Sequence, residues 1–159
     1  MNILDMELKE AQGDIERFMP LLLDADPSRA LVMKYMARGR LWYCEDERED
    51  ERGPVCVALM MPVGEGAVEL MNLSTREDMR RRGIASAMVN AMKRIYAPDF
   101  AAMRVGTADG FPETQGFYEK LGFVFTHMDK DFFVRNYDEP VMDGDKMCVD
   151  MARYEQKLR

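Results

Sequence analysis

Two hydrophobic periods alternate along the chain. From Ile3 to Leu8 apolar and polar residues take turns, which predicts a short half-buried strand. From Asp14 to Leu23 the residues Ile15, Phe18, Met19 and Leu22 recur at helical spacing, with Asp14 placed to cap the helix. Pro27 opens a second helical stretch carrying Leu31, Met33, Tyr35 and Met36, which Gly39 ends. Leu41 to Cys44 and Pro54 to Met61 read as the strands of a hairpin, joined by the charged run Glu45 to Arg52 as a solvated loop. After the turn residues Pro62, Gly64 and Gly66, a further strand is predicted from Ala67 to Thr75.

The best helical pattern follows. Between Arg80 and Tyr96 the residues Ile84, Met88, Ala91, Met92 and Ile95 lie on one face, and Pro98 stops the pattern. Ala101 to Val105, short and apolar, reads as a buried strand parallel to the one before the helix, which makes a βαβ unit. Pro112 near the start and Gly122 just past the end bracket another short helix, and Phe123 to His127 and Met147 to Met151 read as late strands. The order β-α-α-β-β-β-α-β-α-β-β predicts an α/β (α+β) fold, a mixed sheet with helices on its faces.

Bulk properties narrow the function classes. A chain of 159 residues is read as one domain, 1–159, and 47% apolar residues suffice for its core. No apolar run approaches the roughly 18 residues of a membrane span, and Met1 to Lys9 mixes Asp5, Glu7 and Lys9 with apolar residues, so neither a membrane role nor export is expected. Cys44, Cys56 and Cys148 are odd in number and far apart, which predicts neither a disulfide framework nor a metal site and suits a reducing cytoplasm. A net charge of −7 opposes nucleic acid as a partner, because phosphate is bound through Lys and Arg.

Against that acidic background the segment Arg80-Arg81-Arg82-Gly83-Ile84-Ala85-Ser86 stands between a strand and a helix. The first turn of a helix leaves backbone N–H groups without internal partners, Gly83 allows close approach, and three arginines add positive charge. A diphosphate suits such a turn; a plain helix start with solvated arginines is the alternative. Neither G-x-G-x-x-G after a strand nor G-x-x-x-x-G-K-[ST] occurs, so a dinucleotide or ATPase fold loses support.

Arg80-x-x-Gly83-x-Ala85, following Leu73-Ser74-Thr75, resembles the R/Q-x-x-G-x-G/A turn of the GNAT N-acetyltransferases. Phe117-Tyr118-Glu119-Lys120-Leu121-Gly122-Phe123 is similar to the family's tyrosine-bearing segment, so the resemblance runs from about Ala67 to Phe125. It implies a GNAT fold with a mixed central sheet of about seven strands and helices on both faces. It also implies acetyl-CoA as cofactor, with its pyrophosphate on the backbone of Arg81, Arg82, Gly83, Ile84, Ala85 and Ser86 behind Arg80, and its pantetheine arm beside Leu73, Ser74 and Thr75. Many members carry Asn seven residues and Ala four residues before the tyrosine, where this chain has Phe111 and Thr114, so the cofactor-side set includes Thr114 and Tyr118 with altered chemistry.

Moving an acetyl group to an amine requires removing a proton from the amine, stabilising an oxyanion and protonating a departing thiolate. The resemblance assigns the last task to Tyr118, a phenol protonated at working pH, and oxyanion binding to the backbone N–H of Leu73; packing beside Phe117 is the alternative for Tyr118. Glu69 is the candidate base, at a position where some members use glutamate. By strand alternation it shares a face with Met71, Leu73 and Thr75; a plain strand-start glutamate, with water as base, is the other reading. His127 reads as an edge-strand residue with a minor claim on acceptor binding. The acceptor is a small-molecule amine or a peptide; the acidic stretch Asp129 to Asp150 would attract a cationic one, with a solvated acidic surface as the commoner reading, and a homodimer is left open. The competing functions are a non-catalytic acyl-CoA-binding or regulatory domain, against which Tyr118 argues, and protein N-terminal acetylation.

Overall fold

The computed structural model describes residues 6–46 and 53–159. In chain order the elements are β1 (Glu7–Glu10), a 3-10 turn (Ile15–Arg17), α1 (Met19–Ala25), α2 (Arg29–Met36), β2 (Arg40–Glu45), β3 (Cys56–Gly64) and β4 (Ala67–Thr75). A second 3-10 turn (Glu77–Met79), α3 (Ile84–Tyr96), β5 (Ala102–Ala108), α4 (Pro112–Lys120), β6 (Val124–Asp129), α5 (Phe132–Asn136), β7 (Val141–Asp143), β8 (Lys146–Cys148) and β9 (Met151–Lys157) complete it.

Seven strands form one sheet in the order β1-β2-β3-β4-β5-β9-β6, and β7-β8 form a separate hairpin. Only β4 and β5 run parallel, so the sheet is mixed as expected. Alternation along β3 explains the layers: Cys56, Ala58 and Met60 point into the core under α3, whereas Val57 and Leu59 point into the core under α1 and α2. The α3 side holds Met88, Val89 and Met92 with Tyr118 and Phe123; the other holds Phe18, Leu22, Val32 and Tyr35. No described helix is long and apolar enough to cross a membrane.

Several boundaries differ from the pattern. The strand expected at Ile3 to Leu8 lies partly outside the described residues and is seen at Glu7–Glu10. The stretch Asp14 to Leu23 is broken: Asp14 sits in a left-handed conformation before a 3-10 turn and makes no side-chain cap, and α1 starts at Met19 with Pro20 in its first turn. The second helix is capped by Ser28 rather than opened by Pro27; Ser28 Oγ accepts from Leu31 N at 3.2 Å. Of the charged run, residues 47–52 lie outside the described residues, while Glu45 ends β2 and pairs with Lys9 and Arg17. The strand expected at Met147 to Met151 is two strands: β8 ends at Cys148, and β9 runs on from Met151 to insert between β5 and β6. Ala152 and Tyr154 fill the core, and their charged neighbours lie on the other face.

Candidate functional site

The parallel pair β4–β5 is joined only from Ala67/Ala102 to Leu70/Val105. Beyond that, β4 continues to Thr75 beside β3 alone, and β5 continues to Ala108 beside β9 alone. The sheet therefore opens at the C-terminal ends of its two parallel strands, where α3 and α4 begin. Open α/β sheets bind ligands at such ends, where strands part and helix N-termini face in.

The turn after β4 gathers backbone donors that lack partners among the described residues. Arg81 (φ 64°) and Gly83 (φ 77°) both take left-handed backbone, which turns successive amides toward one side. A non-glycine residue held there stores strain, a feature that clusters at functional sites. The first helical hydrogen bond runs from Ala87 N to Gly83 O at 3.0 Å, and the N–H groups of Arg81 to Ser86 find no acceptor among the described residues. Arg80 braces the turn: its Nε donates to Thr75 O at 3.1 Å and its guanidinium pairs with Asp24 of the α1 end. Arg81 and Arg82 are exposed.

Between α3 and α4 lies a groove of about 370 Å³ lined by Ser86 on one side and Pro112, Glu113, Gly116, Phe117, Lys120 and Leu121 on the other, so the amide cluster meets a cleft between helices at Ser86. Thr114 is exposed on α4 and does not line it. Gln115, which the pattern did not single out, fixes the start of α4: its Oε1 accepts from Gly110 N at 3.0 Å and Phe111 N at 3.1 Å, and its Nε2 donates to Tyr154 Oη at 3.2 Å. A glutamine in the first helical turn after Pro112 was its only sequence signal.

Tyr118 is 7% exposed, its ring edge-on to Phe117 and Phe123. Its hydroxyl makes no hydrogen bond among the described residues, and burial, with Cys56 nearby, pushes the phenol well above its ordinary range. The ring is enclosed while the hydroxyl, absent from the fully buried unpaired atoms of the described residues, stays protonated and open to an incoming acceptor. Cys56 in turn accepts from Thr75 Oγ1 at 3.4 Å, which links the tyrosine's surroundings to the end of β4.

One expectation about β4 is overturned. Leu59 opposes Asn72 and Met60 opposes Leu70, so Met71 is an extra residue in the ladder, a β-bulge. The bulge reverses the alternation: Met71 packs with the α1–α2 core, Leu73 packs with the α3 core, and Thr75 reaches Cys56 there. Glu69 and Met71 therefore lie on the face opposite Leu73 and Thr75. Asn72 is also turned toward α1 and α2, where its Nδ2 donates to Leu22 O and Tyr35 Oη at 3.0 Å each.

On the Glu69 face a second pocket, about 620 Å³, has an apolar wall of Met61, Val63 and Met71 and a charged wall. Its two guanidinium groups are each held by two carboxylates: Arg104 by Glu155 (2.8 Å) and Glu65 (3.1 Å), Arg153 by Glu69 (3.4 Å) and Asp129 (3.3 Å). Four carboxylates against these two arginines, with Arg135 also paired to Asp129, leave the wall with one negative charge in excess. Burial raises the Glu69 carboxyl above the usual carboxylate range, and Arg153 and Arg104 oppose that rise. His127, on edge strand β6, is exposed and lines the pocket.

Comparison with known proteins bears on this arrangement. The model of the acetyltransferase (GNAT) domain matches residues 37–125. A Bacillus subtilis (strain 168) protein named as the uncharacterized N-acetyltransferase YvbK is 26% identical over 96% of this chain and 97% of its own. A GNAT family acetyltransferase from Elizabethkingia anophelis, solved with acetyl-CoA bound, superposes with a TM-score of 0.88 at 23% identity over 96% of this chain and 98% of that one. A Bacillus subtilis acetyltransferase in complex with CoA gives 0.84 at 25% identity over the same shares.

Proposed function

The chain belongs to the GNAT acetyltransferase family, and on that premise we propose that it transfers the acetyl group of acetyl-CoA directly to a small cationic amine, with Tyr118 as general acid. The observation that carries the reading is the row of unpaired amides from Arg81 to Ser86, beside the point where β4 and β5 part and on the same side of the sheet as Tyr118, whose hydroxyl bonds to none of the described residues. A diphosphate fits this cluster in charge and donor supply, with Arg81 and Arg82 free to approach it. When bound, acetyl-CoA supplies an activated acetyl thioester, whose carbonyl an amine attacks and whose thiolate leaves.

The chain's own residues divide the remaining work. Tyr118 holds its proton through burial until a basic sulfur comes within reach. The backbone N–H of Leu73, on the stretch of β4 without a β5 neighbour, is the proposed donor to the carbonyl oxygen. From the opposite face, Glu69 takes the amine's proton. The surplus negative charge around it draws in an ammonium and disfavours an acceptor with a carboxylate beside its amino group, while Met61, Val63 and Met71 accommodate an aliphatic chain.

The test is to offer acetyl-CoA with 1,5-diaminopentane, norleucine and a short peptide with a free N-terminus while following thiol release. The diamine should exceed norleucine by more than about tenfold in kcat/KM, since like-charge contact in a pocket costs several kcal/mol. Preference for norleucine or for the peptide would overturn the acceptor class. Under the same conditions Glu69→Gln should cut the rate near neutral pH and recover toward high pH, where the amine is deprotonated by solvent. A pH profile superimposable on that of the parent would return Glu69 to a structural role.

A further inference from the structure

Arg153 stands at a junction that strand order creates. β9 lies between β5 and β6, and register sets Arg153 opposite Gly106 on one side and His127 on the other. With Ala152 and Tyr154 buried in the α3-side core, Arg153 projects from the Glu69 face, where its side chain is 22% exposed. Gly106 clears its path: a Cβ there would come within 2.8 Å of Arg153 Nη1 and 2.4 Å of Met151 Sδ. The guanidinium thus crosses β5 to reach β4, with the Phe132 ring 5.2 Å from it.

Arg153 Nη1 donates to Glu69 Oε2 at 3.4 Å and Nη2 to Asp129 Oδ2 at 3.3 Å. Both contacts exceed the roughly 2.7–2.9 Å of a tight charge-assisted bond, so the cation is shared between two carboxylates. The charged groups facing Glu69 are Arg153 and Glu155 from β9, Arg104 from β5, Asp129 and His127 from β6, and Glu65 from the β3–β4 turn, and Asp129 is itself also paired with Arg135 of α5. Arg104 is engaged by Glu155 and Glu65, which leaves Arg153 as the cation bonded to Glu69.

Resting on the reading of Glu69 as the base, we propose that Arg153 is its positioning residue, keeping the carboxylate ionised and aimed at the acceptor, and that Asp129 limits the strength of that hold. A buried carboxylate without a counter-ion would stay protonated and be unable to take a proton. One bound tightly by a dedicated arginine would lose its basicity. Division of one guanidinium between Glu69 and Asp129 lies between these extremes.

The Glu69 carboxyl can be titrated directly by carbon-13 NMR, its signal assigned by loss in Glu69→Gln, without knowledge of the acceptor. Arg153→Gln should raise its midpoint by about one pH unit or more, and Arg153→Lys should return most of that rise. Asp129→Asn should move the midpoint the other way, because a neighbouring negative charge is lost, Arg135 is released and Arg153 then serves Glu69 alone. An unchanged midpoint in Arg153→Gln, or shifts of the same sign in Arg153→Gln and Asp129→Asn, would overturn the role of Arg153. If Arg153→Gln fails to fold, Arg153→Lys takes its place: it keeps the charge but loses the two-pronged contact, so a raised midpoint supports the role of Arg153 and an unchanged one overturns it. The acid limb of the pH–rate profile should follow these midpoints; shifted midpoints with an unmoved limb would overturn the base reading of Glu69 and the catalytic purpose of Arg153 with it.

Discussion

Tyr118→Phe is expected to lower kcat by about a hundredfold to ten-thousandfold, the usual cost of losing a general acid, while CoA affinity stays near that of the parent. The variant removes one oxygen. It keeps the edge-on packing against Phe117 and Phe123 and breaks no hydrogen bond among the described residues, so the fold should be unaffected. The sign follows from the environment. Burial keeps the phenol protonated across the working range, so every enzyme molecule carries the proton that a departing thiolate needs. Parental turnover of an identified acceptor, with chemistry rate-limiting, would assign protonation of the sulfur to water or another donor.

Gly83→Glu should weaken CoA binding by at least about a hundredfold, and two independent effects combine to do so. Gly83 has a φ of 77°, where a side chain costs roughly 1–2 kcal/mol, and that strain acts on the residue that sets the direction of the neighbouring amides. The carboxylate also places negative charge against the cluster of N–H groups that is to meet a diphosphate. Gly83→Ala introduces the strain without the charge, so its smaller loss separates the two effects. Calorimetry with CoA on a variant that keeps its helical circular dichroism is the measurement. Unchanged affinity would remove the turn from the cofactor site.

The parts of the molecule read correctly from sequence are those set by local period and turn chemistry. β4 was delimited at Ala67 and Thr75, and the apolar stripe of α3 packs against the sheet through Ile84, Met88 and Met92. The turn between them was legible because arginine and glycine in front of a helical stripe state a backbone requirement that needs no tertiary information. The bulge at Met71 left no such mark. One extra residue in a ladder is defined by the partner strand, and it sends Glu69 and Leu73 to opposite faces although their spacing predicts a shared one. Arg153 was invisible for a related reason: its meaning comes from Glu69, 84 positions away, and from the room left at Gly106. α5 has five residues, too few for a helical period to show.

In amide-resolved NMR of the labelled protein, titration with CoA should shift the N–H groups of Arg81 to Ser86 more than any others, and pantetheine, which lacks the diphosphate, should leave them nearly unmoved. Shifts that bypass these amides while CoA binds elsewhere on the chain would contradict this placement of the cofactor.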